Sequence, residues 1–172
     1  MGVAKVLGNK GGLLIAFKLL GYQFVFVNCH FAPKPYKVLE RNNNAKTLLK
    51  TVRIGEKNFE FDCSSDVLFW QGDLNYRIDF NFDETIKEIK QNNIKGLLMK
   101  DQLIKQRQIN QVFYDFSEGE INFNPTYRRI KGTDEYSNKN NQSPSWCDRI
   151  MVRTDKPLDI NFYQSIKEAN DR

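Results

Sequence analysis

The chain has 172 residues and a mass of 20.2 kDa, a length typical of one domain. Apolar residues make up 40% of it and charged residues 27%, a composition that excludes wholesale disorder. The net charge of +5 is mild. It is compatible with an anionic partner such as phosphate, nucleic acid or an acidic lipid surface, and equally with a solvated basic surface.

The cysteines and the apolar stretches indicate where the protein works. Cys29, Cys63 and Cys147 are widely spaced and form no C-x-x-C pair, which argues against a disulfide framework or zinc site and favours a reducing compartment. No signal-peptide pattern is present. The most apolar stretch, 13–27, is interrupted by Lys18 and is shorter than the roughly 18 residues of a membrane span. We therefore expect a cytoplasmic protein, with at most transient contact with membrane surfaces.

Two apolar, β-rich runs come first in the chain. Residues 13–20 and 22–31 lie on either side of Gly21, which predicts a hairpin or two adjacent strands. Both faces of the second run are apolar until Asn28 and His30. We therefore expect this strand to be buried on both sides.

The rest of the chain alternates helical and extended patterns without a strict β-α-β rhythm. The predicted elements are a helix from about Tyr36, a buried strand at 66–71, helices at 83–94 and 97–109, an extended segment at 121–128, a polar loop at 130–143, a strand beginning near Asp148 and a last strand at 160–166. This order favours an α/β sandwich over a doubly wound parallel sheet, and no composition shift marks a second domain.

The third predicted strand leads into the sequence WQGDLNYR, residues 70–77. It delivers a carboxylate, Asp73, and an amide, Asn75, to the end of a strand, and Gly72 allows the backbone to approach closely. Asp73 can take a proton from water and Asn75 can donate to an oxyanion. Arg77 can offer a two-pronged contact to phosphate. The alternative is structural, because a strand followed by G-D-x-N is also a common turn sequence.

Two further polar features have both a chemical and a structural interpretation. His30 closes a buried strand, where a lone histidine is either a catalyst or a satisfied structural residue. In the sequence PSWCDRI, residues 144–150, Asp148 and Arg149 form an internal ion pair, or Asp148 orients a catalytic imidazole. Cys147 as a nucleophile is a weak rival, because its neighbour Asp148 disfavours the thiolate.

A glycine-rich segment, GNKGG at 8–12, precedes the first strand. Its glycines and Lys10 are suited to cradling phosphate. The P-loop pattern G-x-x-x-x-G-K-[ST] is absent, so a flexible turn is the alternative.

Taken together and in this order, the motifs GNKGG, N-C-H, F-W-x-G-D-L-N-Y-R, D-Q-L, F-x-P-T-Y and P-x-W-C-D-R-I resemble the inositol polyphosphate 5-phosphatases over about residues 8–153. The resemblance implies part of a four-layer α/β sandwich, the fold shared with deoxyribonucleases and apurinic endonucleases. It also implies Mg²⁺-dependent removal of the 5-phosphate from phosphoinositides or soluble inositol phosphates. In this family water attacks phosphorus in line, without a covalent enzyme intermediate.

The resemblance also implies roles for single residues. Asp73 would orient and deprotonate the attacking water, Asn75 would bind the phosphate beside it, and His30 would contact the scissile phosphate. Asp148 would orient a second, more C-terminal histidine, and Arg149 would brace that site. Tyr127 and Arg128 match the family's P-T-Y-K segment, which grips the neighbouring 4-phosphate. The candidate substrate-binding residues are Lys10, Arg77, Tyr127, Arg128 and Arg149.

The chain departs from the family pattern in three places. The family's pattern has a magnesium-binding glutamate upstream of the glycine-rich loop and a final S-D-H-x-P motif downstream of W-C-D-R. The 172 residues contain neither of these two features. His30 is the single histidine, so it cannot supply both of the family's histidines. The segment 140–142 reads NNQ where the family carries basic residues, and only Lys139 offers charge nearby. We therefore expect 1–172 to be a C-terminal-leaning part of the catalytic domain, weakly active or inactive by itself.

Two alternatives come from other functional classes. One is a catalytically dead phosphoinositide-binding module, in which Lys10, Arg77, Arg128 and Arg149 hold phosphate without cleaving it. The other is a nuclease of the same superfamily, which the P-T-Y and P-x-W-C-D-R-I segments argue against, so no nucleic-acid partner is expected. The sequence leaves open whether the substrate is a lipid or a soluble inositol phosphate.

Overall fold

The computed structural model describes residues 11–51, 53–54, 59–60 and 65–166. The strands are β1 (Gly11–Leu19), β2 (Tyr22–His30), β3 (Arg53–Ile54), β4 (Phe59–Glu60), β5 (Val67–Asp73), β6 (Ser117–Glu118) and β7 (Asp148–Thr154). The helices are α1 (Val38–Thr51), α2 (Phe82–Lys90), α3 (Ile94–Leu98) and α4 (Gln102–Gln108), and a 3₁₀ turn spans Lys139–Asn141.

The central sheet has five strands in the order β1-β2-β5-β7-β6, and β3 and β4 form a separate pair. The pairing of β2 with β5 is parallel, whereas β1, β7 and β6 pair antiparallel with their neighbours. A parallel pair needs a long crossover, and α1 lies in that connection. The mixed sheet confirms an α/β architecture that is not doubly wound.

The turn between the first two strands confirms the predicted hairpin. Leu19 pairs with Tyr22, so Leu20 and Gly21 form a two-residue loop. Both have positive φ, 51° and 85°. This geometry matches the right-handed twist of the strands and requires left-handed backbone, which glycine adopts without strain.

The larger of two buried apolar clusters lies on one face of the sheet, beneath α1, α4 and the loop 110–116. Trp70 is at its centre with no exposed surface. The indole makes edge-on contacts with Phe113 and Phe116, at centroid distances of 5.2 and 6.4 Å. Its Nε1 donates to Cys29 Sγ at 3.1 Å. Aromatic packing and a satisfied indole N–H therefore stabilise the strand that carries WQGDLNYR.

The opposite face of the sheet is apolar and open to solvent over β1 and β2. We call this surface the open face; it consists of Leu13, Ile15, Phe17, Leu19, Tyr22, Phe24, Phe26 and Phe69. Leu13 is 66% exposed and Ile15 57%. Phe26 stacks on Phe69 at 4.9 Å, and Phe17 stacks on Phe26 at 5.9 Å. The prediction that 22–31 is buried on both sides is therefore wrong for this chain, since only its other face is covered.

The helical predictions are confirmed in type but not in length. The helix predicted at 83–94 ends at Lys90, and a new helix begins at Ile94. The helix predicted at 97–109 is interrupted before Gln102, where the carboxylate of Asp101 accepts from the N–H of Ile104 and caps α4. An aspartate at an N-cap competes with continuation of the preceding helix.

The strand predicted at 160–166 is wrong. These residues are extended but pair with no strand in the described chain. Tyr163 anchors them instead, because its hydroxyl accepts from the N–H of Ile150 at 3.1 Å. The Tyr163 side chain packs against Gly119, where an added Cβ would lie 2.5 Å from the Cβ of Tyr163 and 2.7 Å from its ring. A side-chain hydrogen bond thus takes the place of strand pairing at this edge of the sheet. Within the described ranges, no helix is long and apolar enough to cross a membrane.

We predict that Trp70→Ala lowers the free energy of unfolding by about 3–5 kcal/mol, because it removes a fully buried indole and leaves a cavity. The matched control is Phe17→Ala on the open face, where the side chain is 46% exposed and about 1 kcal/mol is at stake. Urea unfolding followed by circular dichroism measures both. Equal losses would contradict the assignment of the core to one face.

Candidate active site

Three strand ends meet at one edge of the sheet and bring three candidate residues together. β2 and β5 run parallel and end there, and β7 starts there in the opposite direction. In the register, His30 pairs with Asp73, and Asp73 pairs with Asp148. Residues far apart in the sequence therefore lie abreast on adjacent strands, which are spaced about 4.8 Å apart.

Asp73 is the centre of this group. Its Oδ2 lies 3.2 Å from His30 Nε2, and its Oδ1 accepts from the N–H of Asn75 at 3.0 Å. The side chains of His30 and Asp73 are 47% and 30% exposed. The pair is thus held in place by the protein yet open to solvent, as a group that handles a proton from water requires.

The backbone conformation and the close packing at position 72 both require glycine before Asp73. The φ of Gly72 is +127°, and a Cβ there would lie 2.1 Å from the carbonyl oxygen of Cys29. A side chain would therefore force β5 away from β2 and separate Asp73 from His30.

Asp148 lies at the same edge of the sheet, and its surroundings disfavour the ionised form of its carboxyl group. Desolvation raises the pKa of its carboxyl, as does the negative charge of Asp73, while Thr126 and His30 act in the opposite direction. Thr126 Oγ1 donates to Asp148 Oδ2 at 3.3 Å. The predicted role of orienting a second histidine involves a residue that this chain lacks.

Asn75 and Arg77 lie below the surface, at 3% and 4% exposure. Arg77 Nη2 donates to Asn75 Oδ1 at 2.6 Å, and Arg77 Nε donates to the Asn75 carbonyl at 3.1 Å. Asn75 Nδ2 donates to the carbonyl of Phe31 at 3.0 Å. The prediction of Arg77 as an open fork for phosphate is therefore not what the structure shows, because the guanidinium is directed at Asn75.

The P-T-Y segment lies beside this buried pair. The guanidinium carbon of Arg77 lies 4.6 Å from the centre of the Tyr127 ring. Tyr127 is half-buried and Arg128 is exposed. Lys10, which is also predicted to bind substrate, lies outside the described residues.

Arg149 is braced inside the fold and does not reach the surface. Its Nη1 lies 3.1 Å from both oxygens of Asp101, and its Nε and Nη2 donate to Glu118 at 2.6 and 2.8 Å. Burial opposes its charge, but Asp101 and Glu118 outweigh burial and raise the pKa of Arg149. These contacts leave the guanidinium engaged with carboxylates instead of phosphate, and the bracing of the catalytic site by Arg149 stays a prediction. The internal ion pair expected between Asp148 and Arg149 is therefore replaced by one between Arg149 and Asp101.

The cysteine alternative is not supported. Cys147 is fully buried, and desolvation raises the pKa of its thiol well above the usual range. Desolvation also raises the pKa of Cys29 to about 12. A nucleophilic cysteine needs an exposed, electropositive setting with a lowered pKa, so neither described cysteine is a candidate.

The residue that sequence reasoning missed is Gln102. Its Oε1 accepts from Arg41 Nη2 at 2.6 Å and from the N–H of Arg77 at 3.0 Å. Its Nε2 donates to the carbonyl of Pro35 at 3.1 Å and to Asp79 Oδ1 at 2.6 Å. One amide thus ties the loop that follows His30 to the loop that follows Asp73. The motif D-Q-L was the available signal, but its partners are far away in the sequence.

Two cavities flank the strand ends. One of about 560 Å³ is lined by Asn28, Gln71, Thr126, Arg129 and Asp148, among others. A smaller one of about 240 Å³ lies beside Arg77 and is lined by Pro35, Asp79 and Gln142, among others.

The residues of the described segments do not form a metal site by themselves. No group of three or more histidine, cysteine or acidic side chains with metal-binding geometry occurs among them. Asp73 and Asp148 supply two carboxylates, and their oxygens already accept from His30, Asn75 and Thr126. Magnesium prefers six oxygen ligands in an octahedron, several of them water or phosphate oxygen.

The fold and the strand-end cluster define the class of protein. The sequence profile described as "Endonuclease/Exonuclease/phosphatase family 2" matches residues 1–170. The chain belongs to this family, and within it to the inositol polyphosphate 5-phosphatases.

Named relatives agree with that assignment. The chain is 38% identical over 164 residues to phosphatidylinositol 3,4,5-trisphosphate 5-phosphatase 2A of Danio rerio, an alignment that covers 89% of the chain and 13% of the relative. It is 38% identical over 167 residues to human phosphatidylinositol 3,4,5-trisphosphate 5-phosphatase 1, which covers 89% of the chain and 14% of that protein. The chain thus spans 13% and 14% of the lengths of these two curated relatives.

Solved structures agree on the fold. The inositol polyphosphate 5-phosphatase domain of SPsynaptojanin, in complex with inositol (1,4)-bisphosphate and calcium ion, superposes with a TM-score of 0.81 at 34% identity, covering 87% of this chain and 44% of that one. Cimex nitrophorin, solved as a ferrous NO complex of a mutant, superposes with a TM-score of 0.72 at 26% identity, covering 94% of this chain and 55% of that one. The same architecture therefore occurs with different ligands, and the site residues must decide the function.

We predict that Asp148→Asn raises the midpoint of thermal unfolding near pH 7 and that the gain disappears at about pH 3. The folded state raises the pKa of this carboxyl above its ordinary value of 3.8, so ionisation destabilises the fold at neutral pH and not in acid. The measurement is thermal unfolding at both pH values.

The matched control for this variant is Asp115→Asn. Asp115 is 41% exposed and pairs with Arg153 at the surface, so no increase in the midpoint is expected. A lower midpoint for Asp148→Asn near neutral pH would show that the carboxylate stabilises the fold.

Proposed function

We propose that this chain is part of a phosphoric monoester hydrolase, which removes the 5-phosphate from phosphoinositides or soluble inositol phosphates. The observation that carries this proposal is the contact of 3.2 Å between His30 and Asp73 at the strand ends, with Asp148 in register beside them. The names of the similar proteins support the substrate class.

The proposed reaction is a direct displacement by water. Asp73 accepts a proton from the attacking water, whose oxygen bonds to phosphorus as the bond to the inositol oxygen breaks. His30 and the Asn75 amide donate hydrogen bonds to phosphate oxygens, where negative charge accumulates. The inositol oxygen leaves with a proton taken from solvent. No covalent intermediate on the protein is required.

We propose Mg²⁺ as the cation of this reaction, where it would offset charge on the phosphate. The support is the family assignment and the calcium ion named with the synaptojanin domain. Since the described residues do not complete a site, other ligands are needed besides Asp73 or Asp148.

The recognition of a 4-phosphate is proposed for Tyr127 and Arg128. Arg128 is exposed beside half-buried Tyr127, so its charge can reach a ligand. The segment Lys139–Asn141 lies in a 3₁₀ turn and contributes one positive charge where the family carries several. We expect this chain to bind the 4-phosphate more weakly than family members with several basic residues here. We also propose that the protein is cytoplasmic and contacts lipid headgroups transiently.

The domain proposal is that 1–172 forms part of a larger catalytic unit. Its support is the open face, since contiguous exposed apolar surface of this kind indicates an interaction site. The chain also covers only 44% of the synaptojanin domain with which it superposes. A second layer packed on Phe17 and Phe26 would complete the sandwich. Residues 1–172 by themselves are expected to hydrolyse inositol phosphates weakly or not at all.

The experiment is phosphate release from phosphatidylinositol 4,5-bisphosphate and from inositol 1,4,5-trisphosphate, with Mg²⁺ and with a chelator. We expect turnover from the longest natural product that contains this chain, at least about 100-fold slower turnover after Asp73→Asn, and little from 1–172. The control is Asp115→Asn, which is expected to match the wild type.

Other outcomes separate the alternatives. Salt-sensitive binding of both ligands by the longest product, without hydrolysis, would replace the enzyme by a phosphoinositide-binding module. Cleavage of an abasic DNA duplex instead would indicate a nuclease. Full turnover by 1–172 alone would contradict the expectation that the unit is incomplete.

A further inference from the structure

Arg77 links the predicted catalytic amide to the predicted 4-phosphate segment. We propose that Arg77 is a positioning residue, which orients the Asn75 amide and the Tyr127 ring together instead of binding phosphate itself. The proposal rests on the proposed phosphatase function, because it concerns how that site is assembled.

The first support is the double contact with Asn75. Arg77 donates to both the side-chain oxygen and the main-chain oxygen of this residue, at 2.6 and 3.1 Å. A guanidinium has only donors, so the amide oxygen of Asn75 must face it. The amide nitrogen then faces the carbonyl of Phe31 at 3.0 Å. That nitrogen carries two hydrogens, so one is left for a ligand.

The second support is the backbone of Asn75. Its φ is +57°, in the left-handed region, where asparagine is tolerated better than most residues. Its N–H donates to Asp73 Oδ1 at 3.0 Å. Asn75 is therefore fixed through its backbone to Asp73 and through its side chain to Arg77, so the amide and the carboxylate are held as one unit.

The third support is the opposite side of the guanidinium. It lies over the Tyr127 ring at 4.6 Å, and its Nη1 donates to Gln142 Oε1 at 3.1 Å. Tyr127 is itself paired through its backbone with Ser145, just before the W-C-D-R strand. One planar group thus touches the scissile-phosphate side and the 4-phosphate side of the site.

The fourth support is the electrostatic setting. Arg77 is 4% exposed, and no carboxylate in the described part of the chain lies within ion-pair distance of it. A buried arginine held by amide oxygens and an aromatic face depends on its flat, forked shape. Lysine keeps the charge but loses the fork and the stacking, which makes Arg77→Lys the discriminating variant.

The test compares Arg77→Lys with Arg153→Lys in the longest natural product that contains this chain, using phosphatidylinositol 4,5-bisphosphate. Arg153 is a matched control, because its guanidinium also lies over a ring, Phe116 at 5.4 Å, and also donates a hydrogen bond to a side chain, that of Asp115. Positioning predicts that Arg77→Lys lowers kcat about 100-fold with KM within about threefold of the wild type. Arg153→Lys is expected to leave both unchanged.

A second measurement does not depend on turnover. In chain 1–172 labelled with ¹⁵N at asparagine, the Asn75 side-chain signal is assigned by its loss in Asn75→Ser. Arg77→Lys and the milder Gln142→Ala are expected to shift that signal, and Arg153→Lys is not. Near-ultraviolet circular dichroism checks that each variant keeps its packed tryptophans.

The outcomes are distinguishable. A tenfold rise in KM with kcat retained would make Arg77 a phosphate ligand and overturn the proposal. An unmoved Asn75 signal in Arg77→Lys would overturn it as well. If the wild type neither binds nor hydrolyses the lipid, the proposed function fails, while the Asn75 signal still decides whether Arg77 positions the amide.

Discussion

The hydrogen-bonded register of β2, β5 and β7 is the constraint on which the site depends. It places His30, Asp73 and Asp148 side by side, although they come from three distant parts of the chain. The register is maintained by the buried face of the same strands, where Trp70 packs against Phe113. A slip by one residue would turn Trp70 to the open face and Asp73 away from His30, because neighbouring side chains on a strand point to opposite faces.

Buried polar contacts hold the loops that leave these strands. Arg41 is fully buried and donates to the carbonyls of Ala32, Lys34 and Pro35, as well as to Gln102. Gln102 in turn accepts from the backbone of Arg77. Unpaired, these groups would destabilise the core. The hydrogen bonds of the Arg41 Nη atoms and of Gln102 connect the loop after His30 to the loop after Asp73, although Arg41 Nε has no hydrogen-bond partner among the residues that the structure describes. These contacts suit a site that must hold donors and acceptors in fixed geometry.

The two similar folds show what the architecture leaves undecided. The synaptojanin domain is named with an inositol bisphosphate and calcium, whereas the nitrophorin is named as a ferrous NO complex. Both superpose on this chain, so the sheet and its helices do not choose the ligand. Under the proposed function, the strand-end residues select the ligand. Desolvation and the neighbouring charge of Asp73 raise the pKa of Asp148, and shifted pKa values of this kind are common at functional sites.

The sequence by itself determined the family, the hairpin, the strand ahead of Asp73 and the candidates His30, Asp73, Asn75 and Asp148, because these lie in contiguous motifs or follow local periodicity. Only the tertiary structure decided which residues meet. It turned Arg77 inward onto Asn75 and Arg149 onto Asp101, and it gave Gln102 its role, since each of these depends on partners distant in the sequence. It also left one apolar face of β2 open, because periodicity reports that a face is apolar and not whether anything covers it.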